Sequence, residues 1–153
     1  MESVAYEELL RKDGRVMTHV VGTSMLPLWR SRESIVIVEA ADRVPPRRGD
    51  VVLYKAGNTY ILHRILRVTP EEYLIRGDNT RDLEHVPRGA LLATVTGFYR
   101  RPDSRLVTRD DFRYRLYRLA LPVIRPVRRA AGRARRAVRR IFRASRSVRR
   151  DRR

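Results

Sequence analysis

The chain contains no cysteine, which excludes a disulfide framework and thiol chemistry. It has no long apolar run either. The longest stretches, around residues 35–38 and 119–124, fall far short of the ~20 apolar residues that span a bilayer. The N-terminal segment MESVAYEELLRKDGR is mixed in charge and lacks the basic-then-apolar pattern of a signal segment. Acidic residues are scarce at one end only. Residues 1–111 hold 18 basic and 16 acidic residues, whereas residues 112–153 hold 17 basic residues and one acidic one, Asp151. The net charge of +18 over 153 residues is therefore concentrated in the C-terminal part, and the two parts are read separately.

The near-neutral part has the apolar content of a globular domain, and its pattern is one of short strands. A helix is predicted over residues 4–12, ended by Asp13-Gly14. Strands are predicted over 16–21, 33–39, 50–55, 59–68, 73–76 and 91–99, with turns at Ala56-Gly57-Asn58 and Pro70-Glu71-Glu72 and a rigid Pro-rich link over 44–49. Such spacing argues a mainly β domain over residues 1–109. Residues 110–153 read as an Arg-rich amphipathic helical tail. Asp110-Asp111 suit the start of a helix, Pro122 and Pro126 are expected to interrupt it, and a second helix follows. Val127, Ala130, Ala131, Ala134, Ala137, Val138, Ile141, Phe142 and Val148 recur there at helical spacing, with Arg in most other positions.

Four short pieces carry chemistry. In HVVGTSMLPLW a strand runs into Gly22-Thr23-Ser24-Met25-Leu26-Pro27. Gly22 relaxes the backbone and Pro27 stops the strand, so the Ser24 hydroxyl is expected at a strand end. GDVVLYK (residues 49–55), ILHRILRV (61–68) and IRGDNTRD (75–82) follow. A serine hydroxyl is a weak nucleophile until a base takes its proton. His63 is the best base available, because imidazole titrates near neutrality. A carboxylate would then hold the imidazole tautomer, with Asp78 and Asp82 as candidates. Singly, each residue has a plainer role: Ser24 as a turn cap, His63 as a packed strand residue, Asp78 as a turn former. His19, five residues before Ser24, reads as a surface or packing residue, and Lys55 as solvated.

The order SMxP, GDVV, HR with two aliphatic residues, and GDN resembles the signal-peptidase/LexA-like clan of serine peptidases, over roughly residues 16–99. The His in HRIL resembles the endoplasmic-reticulum and archaeal type, where the bacterial type has Lys. The resemblance implies a signal-peptidase-like β-domain with a short N-terminal helix and a basic helical tail. It implies a Ser24–His63 endopeptidase working through an acyl-enzyme on a precursor or leader peptide, without metal or cofactor. The family's His-type members carry an acid shortly after GDN; Asp82 falls nearest that place and Glu84 lies where a longer spacing would land. Gly22 stands where many signal peptidases have a hydroxyl residue. The Ser24 backbone N–H, with Thr23 as a weaker possibility, would then serve the oxyanion, while Met25 and Pro27 shape the turn.

The absence of a spanning segment departs from the membrane-anchored signal peptidases and predicts a cytoplasmic protein with peripheral membrane contact. Residues 127–148 are the expected contact with an anionic surface, with nucleic acid the lesser alternative. Two other readings of the domain exist. A LexA-like self-cleaving regulator would bind DNA, but only some fifteen residues precede the first strand, too few for a helix-turn-helix. A non-catalytic peptide-binding domain would not need both Ser24 and His63.

Overall fold

The computed structural model describes the backbone of residues 6–150 and the side chains within it outside 128–129, 134 and 137–150. The chain divides into two compact units, Met1–Arg118 and Leu119–Arg153. The first is mainly β. Helix α1 (Tyr6–Asp13) leads into β1 (Arg15–His19), β2 (Ile35–Ala40), β3 (Val51–Ala56), β4 (Thr59–Val68), β5 (Glu72–Arg76), β6 (Glu84–Pro87), β7 (Leu91–Tyr99) and β8 (Val107–Thr108), and helix α2 (Phe112–Arg150) follows. The eight strands make one antiparallel sheet in the order β1-β2-β7-β3-β4-β5-β6, with β8 paired to β7.

Alternation along the strands builds two apolar clusters. Val36, Val38, Val51, Leu53, Ala93 and Val95 pack with Met25, Leu28, Trp29 and Phe98 in the first. Val52, Tyr54, Ile65, Tyr73, Ile75 and Val86 form the second. Adjacent residues of β3 thus serve opposite clusters, as a period of two requires. Trp29 is fully buried and meets Phe98 edge-on at 5.4 Å; Phe98 meets Tyr114 of α2 in the same manner at 5.2 Å.

Two edges of this sheet are open near one another. β1 pairs on one side only, with β2. In β4, Thr59–Arg64 pair with β3, but pairing with β5 begins only at Arg64, so the N-terminal half of β4 has a free edge. Helix α1 ties these edges together. The Tyr6 hydroxyl hydrogen-bonds Thr18 of β1 at 2.7 Å, and its ring stands edge-on to Tyr60 of β4 at 4.7 Å. Glu7 accepts hydrogen bonds from Tyr60 and from Lys55 Nζ, the latter at 2.9 Å. Lys55 is exposed, as the sequence predicts, and its ammonium pairs with Glu7 at the surface.

Helix α2 corrects one expectation. It runs unbroken from Phe112 to Arg150 with Pro122 and Pro126 inside it, where the sequence predicts an interruption. Each proline removes one amide donor and crowds the carbonyl four residues back. The two stand four residues apart, so both defects fall on one side of the helix. The Ala-, Arg- and Leu-rich sequence around them has the propensity to carry the helix through.

Candidate active site

The Ser24 segment is a turn, residues 24–28, held by its apolar members. Leu28 N and Trp29 N donate to the Met25 carbonyl at 3.0 and 3.2 Å, and Met25, Leu28 and Trp29 are buried. Met25 thus pins the turn to the first cluster and leaves the partly exposed Ser24 at its mouth. Pro27 is half-buried behind it, in a cis peptide bond with Leu26. Gly22 has φ +97° and open space where a Cβ would sit, so glycine is needed there for backbone conformation and not for room. Gly22 and Thr23 are exposed. Among the described residues, the Ser24 and Met25 amides donate to no acceptor in the chain.

The GDN loop grips this turn from the other side. Asn79 N donates to the Ser24 carbonyl at 2.7 Å, and Asn79 Nδ2 donates to the Thr23 carbonyl at 3.2 Å. Gly77 lies at the point of closest approach. A Cβ on it would stand 2.8 Å from the Ser24 carbonyl oxygen, 2.9 Å from Thr80 Oγ1 and 3.0 Å from His63 Nε2. That spot is flanked by the serine backbone on one side and the imidazole nitrogen on the other, with no space for a side chain between them.

His63 is buried on β4, opposite Val52 of β3. Its neighbours two residues away, Ile61 and Ile65, belong to the second cluster. The register carries the same row onward: Ile65 pairs with Ile75, and Ile75 pairs with Glu84 of β6. Glu84 therefore points to the same face as His63, and its Oε1 lies 2.8 Å from His63 Nδ1. Tyr54 completes the group. Its hydroxyl donates to Glu84 Oε2 and lies 3.3 Å from His63 Nδ1. Burial and the Glu84 carboxylate push the Tyr54 phenol far above its ordinary titration range, so it stays protonated. With Nδ1 engaged by Glu84, Nε2 is the nitrogen that faces Gly77 and the Ser24 turn.

The carboxylate on His63 is thus Glu84, not Asp78 or Asp82. Asp78 is buried and committed to Arg64, which donates Nε to Oδ1 at 2.8 Å and Nη2 to Oδ2 at 2.7 Å. Arg64 follows His63 on β4 and so points to the opposite face, which takes Asp78 with it. Tyr117 donates to Asp78 at 3.0 Å, and the Arg64 guanidinium lies over the Tyr114 and Tyr117 rings. This pair braces the loop that carries Asn79. Asp82 is exposed, and among the described residues it makes no hydrogen bond to His63.

Ser24 and His63 line one cleft of about 520 Å³, together with Thr18, His19 and Val20 on one wall and Thr59, Tyr60 and Leu62 on the other. Its walls are the two open edges, and His19 stands exposed on the first of them. No hydrogen bond joins Ser24 Oγ to His63 Nε2 among the described residues, and catalytic contacts of this kind commonly tighten only around substrate. No group of acidic or histidine side chains able to hold a metal ion occurs among the described residues. Neither a protein-family model nor a curated protein matches the chain.

Tyr54 and Asn79 carry no signal of their own in the sequence. Tyr54 sits in a run of strand residues, and Asn79 reads as part of a turn. Only the β3–β4 register and the closure of the GDN loop on Thr23 and Ser24 bring them to the site.

Proposed function

We propose that the protein is a serine endopeptidase with a signal-peptidase-like β-domain, cutting a precursor or leader peptide through a Ser24 acyl-enzyme. The observation that carries this reading is the polarised His63. One ring nitrogen is held by Glu84 and the other faces the Ser24 turn beside an open cleft. A packing histidine has no need of that arrangement.

The substrate enters extended. A peptide in the cleft meets unpaired backbone groups of β1 on one side and of the N-terminal half of β4 on the other, and adds as a strand between them. His63 Nε2 takes the Ser24 proton as Oγ attacks the scissile carbonyl, and Glu84 stabilises the resulting imidazolium. The uncommitted Ser24 and Met25 amides are the available donors for the oxyanion. His63 returns the proton to the leaving amine, the acyl-enzyme forms, and a water activated by the same nitrogen releases the product. Asp78 and Asn79 position the turn and take no part in proton transfer.

A peptide-library digest read by mass spectrometry tests this, with wild type beside Ser24→Ala and His63→Ala. Cuts made by wild type alone establish the peptidase and give its preference. Cuts that persist in folded Ser24→Ala sink the reading. Capture of uncut extended peptides by wild type and both variants alike would instead favour a peptide-binding domain.

A further inference from the structure

The second unit presents an aligned apolar face to solvent. Leu119, Val123 and Val127 of α2 are 77%, 67% and 62% exposed, and they recur every four residues, which stacks them on one side of a helix. Ala130, also exposed, continues the row. Aliphatic side chains scattered singly on a surface need no explanation, but a continuous line of them does. Charge surrounds this line. Residues 119–153 hold 14 basic residues and one acidic one, and Arg133, Arg135 and Arg136 stand exposed on the same helix.

We propose that the Leu119–Val123–Val127 face of α2 docks on an anionic lipid bilayer surface, with the helix lying in the headgroup plane. The inference stands apart from the peptidase reading and involves none of its residues. Charge decides between the possible occupants. A second copy of the chain would bring another strongly basic helix against the first, a repulsion that three aliphatic contacts do not offset. A nucleic-acid duplex would satisfy the arginines through its phosphates, but its grooves present polar edges and leave the apolar row uncovered. An anionic bilayer takes both. Aliphatic side chains enter the acyl boundary while guanidinium groups pair with lipid phosphates above it. The helix lies on this surface and does not cross it, for among the described residues no helix is long and apolar enough to span a membrane. The apolar row is short, so binding needs anionic lipid as well as the three side chains.

The full-length Ser24→Ala protein is the material for the test, which keeps proteolysis out of the readout. Co-sedimentation is measured with vesicles of phosphatidylcholine alone and of phosphatidylcholine mixed equally with phosphatidylglycerol. The proposal expects binding to the mixed vesicles only. The triple variant Leu119→Ala/Val123→Ala/Val127→Ala keeps helix propensity and is expected to lose at least about tenfold in partitioning with an unchanged circular dichroism spectrum. Arg133→Glu/Arg135→Glu/Arg136→Glu serves as a second variant and is expected to lose binding with the apolar row intact. Equal sedimentation of the triple-alanine variant and its parent overturns the proposal. So does equal binding to neutral and anionic vesicles, or a dimer in solution that the alanines abolish. Binding of a short DNA duplex by both proteins, with no binding to either vesicle, overturns it as well.

Discussion

His63 holds Glu84 through Nδ1 at 2.8 Å and turns Nε2 toward the point where Gly77 passes the Ser24 carbonyl. One imidazole thus joins β6 to the Ser24 turn. The consequence is a clear separation of roles among three neighbouring acids. Glu84→Gln keeps the shape of the side chain but removes the charge that stabilises the imidazolium, and kcat/KM is expected to fall about 100- to 10,000-fold. Asp82→Asn is expected to leave the rate within about twofold, as for an exposed residue away from the chemistry. Rates on the best peptide from the library digest, with circular dichroism as a folding check, compare the two. A larger loss in Asp82→Asn than in Glu84→Gln would remove Glu84 from its assigned role.

Gly77→Ala has a different cause of failure. The added Cβ would press on the Ser24 carbonyl oxygen at 2.8 Å and on His63 Nε2 at 3.0 Å. The first is a backbone atom in a pinned turn and cannot swing aside. A loss of about 1–3 kcal/mol in stability is expected, along with a fall in activity larger than stability alone explains. Urea unfolding and kcat/KM measure the two effects separately; a fully active, fully stable Gly77→Ala would mean the loop stands further from the turn.

The Arg64–Asp78 pair is buried, with side-chain exposures of 3% and 0%. Asp78→Asn leaves a buried guanidinium half-paired, and about 3–5 kcal/mol of stability should be lost. Arg64→Met is expected to cost a similar amount, and the double variant Arg64→Met/Asp78→Leu much less than the two together. Emission from Trp29, which is fully buried, reports unfolding. Additive losses would show that the two residues act independently.

Acid should loosen α1 before it unfolds the sheet. Hydrogen bonds from Tyr60 and Lys55 lower the Glu7 carboxyl from 4.5 to about 2. Because the folded value is the depressed one, this anchor contributes fully above pH 4.5 and is lost as the pH falls toward 2. Amide exchange in α1 is expected to rise across that window while the β3, β4 and β7 amides stay protected. Glu7→Gln should show the looser helix already at neutral pH. Equal protection of α1 in both proteins at every pH would exclude Glu7 as its anchor.

Strand residues whose pattern is strong are legible in the sequence. Thr59–Val68 and Leu91–Tyr99 have the predicted bounds, because β-branched and aromatic residues fill them. β6 has no such pattern. EHVP contains a proline and a single β-branched residue, and it is a strand only because β5 pairs with it. The carboxylate beside His63 is left open for a related reason. Spacing after GDN leaves both Asp82 and Glu84 as candidates, and the register opposite Ile75 brings Glu84 to His63. Asp78 lies off this row because strand alternation turns Arg64, and Asp78 with it, to the other face. Gly77 of GDN lets two segments touch, a role the sequence does not signal.

The position of β7 has a consequence for how the protein comes into being. β2 and β3 do not pair with each other; each pairs with β7, the strand Leu91–Tyr99. The backbone ladder that carries Ser24 through β1 and β2 joins the one that carries His63 and Glu84 only when this late strand has been inserted. A nascent chain shorter than that holds all three side chains without the scaffold that aligns them. On the peptidase reading, a chain stalled before Leu91 carries the three side chains and does not cut, and β7 is the strand whose pairing completes the site.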